Sequence, residues 1–107
     1  MCAFLAASLF ALWLVTNAAL AGIVEQYQAS SDSWRAVQGG SADPCGAARS
    51  YDEMMTDIDL ALVKGQLLLV QPRLRYLDLG EDERRDLRAF YGRLERARGE
   101  AQRRCRR

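Results

Sequence analysis

The polarity pattern divides the chain into three unlike stretches. From Cys2 to Val24 no residue is charged, and only Ser8, Thr16 and Asn17 are distinctly polar. Residues 25–44 are rich in Ser, Gly, Ala and Asp, hold no sustained period and close on Pro44. That is the composition of a linker, with Trp34 and Val37 able to dock as a short turn. Beyond it apolar or small side chains recur at helical spacing. The first stripe runs Tyr51, Met54/Met55, Ile58, Ala61/Leu62, Gly65 and Leu68/Leu69; the second runs Leu87, Phe90/Tyr91, Leu94, Ala97 and Ala101 and ends on Cys105. Apolar groups three and four apart line one face of a helix. Ser50 and Glu53 fit a capping box at the first start, and Asp78 and Glu81 offer another at the second. Pro72 ends or kinks the first helix. The pattern predicts two helices of roughly 22 and about 25 residues, and a short connection makes them antiparallel neighbours.

The cysteines test that pairing. Cys2 lies in the apolar segment without a lipobox before it, which leaves Cys45 and Cys105 as an even pair. In an oxidising compartment such a pair reads as a disulfide. Placing Cys45 opposite Cys105 sets Ala48 against Ala101, Met55 against Leu94, Ile58 against Tyr91 and Leu62 against Leu87. The same register brings Asp52 near Arg98, Glu53 near Arg96 and Asp57 near Arg93, although no charge entered the cysteine argument. The expected fold is all-α: an N-terminal hydrophobic helix, signal peptide or membrane anchor, followed by a disulfide-stapled antiparallel two-helix hairpin. In domain terms, residues 1–24 are the signal or anchor, 25–44 the linker and 45–107 the hairpin domain.

The N-terminal stretch supports two readings. Ala3 to Val15 is an apolar core, Thr16-Asn17 a short polar stretch, and Ala19-Leu20-Ala21 a small-x-small site, which together describe an export signal cut between Ala21 and Gly22. A basic n-region is missing. Retained, Cys2 to Val24 would extend about 35 Å as a helix and span a bilayer core of about 30 Å. Residues 2–24 would then be the membrane contact. In the commoner orientation both readings put residues 25–107 outside the cytoplasm, periplasmic or extracellular.

Charge and composition narrow the chemistry. The chain of 107 residues has a net charge of +1 and no histidine, so Ser-His-Asp, Cys-His and His-containing metal sites are excluded. Gly39-Gly40 lacks the Gly-Lys-Ser/Thr of a phosphate loop. Asp52, Glu53, Asp57 and Asp59 read as a helix face opposed by arginines rather than as catalytic or metal-binding carboxylates. Lys64, the one lysine, reads as a snorkelling surface group. Residues 22–60 hold seven acids and two arginines, whereas residues 81–107 hold ten arginines and six acids. The arginine-rich end suits an acidic partner or anionic headgroups. Its interleaved acids and the export segment argue against nucleic acid as a ligand. No catalytic residue, cofactor or metal ion is expected, and the chain does not read as an enzyme.

One feature exceeds what two helices can bury. Leu60, the run Leu67, Leu68, Leu69 and Val70, and Phe90 cannot all face a single seam unless residues 23–37 fold back as a third layer. Uncovered apolar surface of this kind marks association, so Leu60, Leu67, Leu68, Val70 and Phe90 are the candidate contacts with a protein partner or a second copy. The expected function is a non-enzymatic, exported or membrane-anchored interaction module, an accessory subunit of an envelope complex or a small periplasmic binding protein. In plan, an N-terminal anchor followed by helices of coiled-coil character with cysteines, the chain also resembles the inner-membrane spanins of phage lysis. That resemblance implies a retained anchor and intermolecular disulfides. A third alternative is a basic adaptor for acidic partners, lipid or nucleic acid.

Overall fold

Two long helices form the spine of the molecule, as the two stripes predict. A computed structural model describes residues 21–40 and 43–107. It contains α1 (Ile23–Ser30), α2 (Asp32–Gln38), α3 (Pro44–Lys64), β1 (Gln66–Leu69), β2 (Arg75–Asp78) and α4 (Glu81–Cys105). The antiparallel pair α3–α4 buries Met54, Met55, Ile58, Ala61, Leu87, Phe90 and Leu94. Cys45 and Cys105 are joined, with Cα atoms 4.8 Å apart and 60 residues of chain between them. Arg98 Nη1 meets Asp52 Oδ1 at 2.7 Å, and Tyr91 donates its hydroxyl to Asp59 Oδ2 at 3.2 Å. Both contacts share the register that the cysteines impose.

Residues 25–38 depart from the linker reading. Here α1 and α2 follow each other with only Ser31 between them. Ser31 is extended, and its hydroxyl accepts the Trp34 N–H at 3.1 Å, a side-chain cap that starts the second helix. Ile23, Val24 and Tyr27 are buried, and Trp34 and Val37 pack beside them against the spine. Phe90 receives this layer edge-on: the Tyr27 ring centroid is 6.4 Å away and that of Trp34 5.5 Å, geometries that suit aromatic quadrupoles. The polar composition concealed a helical layer because its apolar contacts are few, widely spaced and mostly aromatic.

The helix boundaries shift for local reasons. Asp43 Oδ1 accepts the Gly46 N–H at 2.6 Å and Pro44 takes the first helical position, so α3 begins six residues before Ser50 and the Ser50–Glu53 box is not used. At its other end Gly65 adopts the left-handed conformation with φ +76°, the usual glycine stop. Arg84 of α4 then donates to the Leu62 carbonyl at 3.0 Å, one of the carbonyls that the helix end leaves open.

The chain beyond Gly65 is a β-hairpin, where the stripe read as helix through Leu68/Leu69. β1 and β2 pair antiparallel, Gln66 opposite Asp78 and Leu69 opposite Arg75. Along β1 burial alternates, with Leu67 and Leu69 inside and Leu68 outside, the period of a strand. Asp78 therefore lies in a strand, where it accepts from Gln66 Nε2 at 2.9 Å, and cannot cap α4. Gly80 takes that cap position without a side-chain bond.

Ser30 joins the layers. Its buried hydroxyl accepts the Val70 N–H at 2.8 Å and the Gln71 N–H at 3.2 Å, tying the break between α1 and α2 to the end of β1. Replacing Ser30 by Ala removes the acceptor for two amides and is expected to cost about 1–3 kcal/mol, read as a lower denaturant midpoint with unchanged helical circular dichroism. Cys105→Ser frees a loop of 60 residues and is expected to lower the unfolding free energy by about 4 kcal/mol. Urea titration of both proteins, the parent with and without reductant, measures that loss.

Candidate functional site: an apolar groove beside the hairpin

Folding back residues 23–37 covers part of the apolar surplus and leaves the rest in one place. Phe90 and Leu67, both expected at a contact surface, are 2% exposed and belong to the core. They are unavailable to a partner because the aromatic layer covers Phe90, while strand alternation turns Leu67 inward. Leu60, Leu68 and Val70 remain 51%, 38% and 48% exposed. Together with Tyr76 they line a groove of about 280 Å³ between α3, β1 and the junction of α1 with α2. Tyr76 stands opposite Leu68 across the hairpin, a pairing that exposes two large apolar groups on one face. Val63 and Leu74 are also exposed, Val63 one turn beyond Leu60 on α3 and Leu74 in the turn before β2. Tyr76, Val63 and Leu74 went unnoticed in the sequence. For Leu74 and Tyr76 the signal was the strand-prone run "LRYLDL", Leu74 to Leu79, bounded by Pro72 and Gly80; Val63, on α3, lies outside it.

The polar lining has an order of its own. Tyr27 donates its hydroxyl to Asp57 Oδ2 at 3.2 Å. Burial is the main reason the Tyr27 phenol titrates well above its ordinary range, with the Asp57 charge adding to it. Burial also raises the Asp57 carboxyl above the usual carboxylate range, against the pull of the Tyr27 hydroxyl and with a smaller push from Glu53. Asp32 holds Arg35 at 2.9 Å and accepts from Gln71 Nε2 at 3.0 Å. Lys64 sits at the α3 end of the groove. Among the described residues no cation lies within salt-bridge reach of Asp57.

The acids of α3 thus serve four different partners. Asp52 alone of the three expected arginine pairs forms its bridge. Ser33 donates to Glu53 Oε2 at 3.0 Å, Tyr27 donates to Asp57, and Arg93 lies over the Phe90 ring with its guanidinium carbon 5.3 Å from the centroid. The third layer supplied hydroxyl donors that the two-helix picture lacked. No group of acids or cysteines able to hold a metal ion gathers among the described residues.

The two ends of the molecule differ in charge. Ala21 and Gly22, the expected cleavage pair, lie where α1 starts: Gln26 donates its side-chain amide to the Ala21 carbonyl at 2.9 Å and its backbone N–H to Gly22 at 3.0 Å. Beside them stand Asp82, Glu83 and Asp86 from the start of α4. Arg103, Arg104, Arg106 and Arg107 stand at the other end of α4, about 37 Å away along 25 residues of helix. The apolar segment before Ala21 lies outside the described residues, and no helix among those described is long and apolar enough to cross a membrane.

No protein-family profile, no curated protein and no solved structure matches the chain.

Asp57 gives the groove a pH signature. The native state binds the Asp57 proton more tightly than the unfolded chain does. Ionisation therefore costs stability, fully above the raised native value and not at all below the unfolded value of about 3.9. Asp57→Asn keeps an acceptor for Tyr27 and removes the charge. Its melting temperature is expected to exceed that of the parent slightly at neutral pH, with the difference vanishing below about pH 4. Thermal unfolding of both proteins across pH 3–8 checks it.

Proposed function

We propose that the chain is a non-enzymatic helical interaction module, exported or membrane-anchored, that presents the groove beside its hairpin to a protein partner. It would serve as an accessory subunit of an envelope or membrane complex, or as a small binding protein in the periplasm or outside the cell. One observation carries the reading. The large apolar side chains left exposed by an otherwise well-covered core include four, Leu60, Leu68, Val70 and Tyr76, that share a single groove. Scattered exposed apolar groups are ordinary; a contiguous set marks association.

The intramolecular disulfide supports an oxidising compartment. It also weakens the spanin-like alternative, which called for bridges between chains: Cys45 and Cys105 are already occupied by each other. The arrangement of charge disfavours a headgroup role for the arginines in an anchored protein. A retained segment would enter at Ala21, beside Asp82, Glu83 and Asp86, and hold the arginine end about 37 Å further out. An acidic protein partner at that end remains compatible with either form.

Two measurements test the proposal. A photo-crosslinking residue at position 76 in producing cells is expected to yield an adduct with another protein, while the same residue at position 63 or 107 yields less or none. Equal labelling from 76 and 107, or none from 76, would count against the groove. Intact mass of the recovered protein then decides its form. A species beginning at Gly22 that gains two hydrogens on reduction is the exported product, whereas one beginning at Met1 is the anchored one. Unbridged cysteines in the recovered protein would overturn the assigned compartment.

A further inference from the structure

One wall of the groove is unpaired backbone. Leu79 N–H donates to the Gly65 carbonyl at 2.9 Å, and the strands are in register from Gln66 opposite Asp78 to Leu69 opposite Arg75. In an antiparallel ladder these two facts fix the parity: Leu67 and Leu69 exchange bonds with Leu77 and Arg75, and Leu68 turns its N–H and C=O away from β2. Val70 points the same way, and its N–H is taken by Ser30 Oγ. Leu68 has no such partner among the described residues. The edge carries Leu-Leu-Leu-Val, with no charge, proline or bulge between Gln66 and Val70. Sheet edges that avoid pairing are protected by such devices. This one has none.

Charge narrows what pairs with it. Of the acids lining the groove, Asp32 already holds Arg35. Among the described residues Asp57 has only the Tyr27 hydroxyl and no cation within salt-bridge reach. A lipid surface would leave the Leu68 amide and carbonyl unbonded, a costly state in an apolar medium. A second strand satisfies both.

Resting on the interaction-module reading, we infer that β1 accepts an extended segment of the partner protein as a third strand. The segment's backbone pairs with Leu68. A large apolar side chain enters the groove among Leu60, Val70 and Tyr76, and a lysine or arginine on the segment meets Asp57. Strand addition of this kind draws affinity from main-chain bonds and selectivity from the pockets that alternate side chains fill.

Selection of a displayed library of random nonapeptides against the disulfide-bonded full chain tests the inference. Enriched peptides are expected to alternate apolar and polar residues, to carry a base and to protect the Leu68 amide from hydrogen exchange. Leu68→Pro removes an N–H that β2 does not use and is expected to weaken those peptides at least tenfold. Should that variant fold poorly, peptides N-methylated at successive amides report the same bonds on the unaltered protein. Asp57→Asn, which keeps the Tyr27 contact, is expected to lose the preference for a base. Recovery of no peptide, or of peptides indifferent to both changes, overturns strand addition. Peptides lost only in Leu60→Glu would overturn it too while leaving the interaction module standing. Binding of the chain to phosphatidylglycerol vesicles through Leu68 and Tyr76, with no peptide enriched, would replace the protein partner by a membrane.

Discussion

The register between α3 and α4 is the constraint from which the rest of the structure follows. It is set at one end by the Cys45–Cys105 bridge and carried along the seam by Asp52 with Arg98 and Asp59 with Tyr91. None of the polar contacts is individually worth much, since Arg98 is 28% exposed and Asp52 61% and such pairs contribute about 0–1 kcal/mol. The bridge does more, because it removes conformations from the unfolded chain rather than adding contacts to the folded one. A domain of this size gains from that, since a single small core is marginal by itself.

Once the register is fixed, the pair still has an uncovered side. Each helix buries one stripe against the other, and the Phe90 ring still has a side turned toward Tyr27 and Trp34. The chain resolves this with material from both ends of α3. From one side come α1 and α2, which lay Tyr27 and Trp34 against Phe90. From the other comes the hairpin, which inserts Leu67 and Leu69. Ser30 stands where the two additions meet, and its hydroxyl closes the amides of both Val70 and Gln71. A serine buried to 2% exposure in an otherwise apolar core is accounted for by that joint.

The spine was legible in the sequence because two independent signals agreed on it. Apolar spacing gave the helices, and the cysteines gave their offset, which then placed Asp52 beside Arg98. Elsewhere the signals competed. Leu67 to Val70 satisfies a helical stripe and a strand equally well. Gly65 decided between them through its left-handed conformation, yet on the stripe it had passed for a small residue. The Ser50–Glu53 box was a sound local pattern overruled by a better one upstream, Asp43 with Pro44. The third layer was foreseen only as a way to cover surplus apolar surface, and the helices of residues 23–38 were read as linker for another reason. Short helices draw most of their stability from tertiary packing, and the packing partner, Phe90, lies more than fifty positions away. Of the groove, Leu60, Leu68 and Val70 could be named from sequence as surplus apolar surface. Tyr76 could not, because its place depends on the hairpin.

The groove exists because the hairpin covers the core with only two strands. A two-stranded sheet always has two free edges, and natural sheets blunt them with charge, proline, bulges or a covering element. Around β2 the sequence does this: Arg75 and Asp78 flank Tyr76 and Leu77. Along β1 the alternation that inserts Leu67 and Leu69 forces Leu68 outward, and Ser30 covers the edge only as far as Val70. The charged alternative was open at Leu68, since an exposed position tolerates lysine as well as leucine. Burial of the hairpin therefore explains Leu67 and Leu69 but not Leu68, nor the exposed Leu60 that lines the same groove. A partner strand accounts for both residues with one contact.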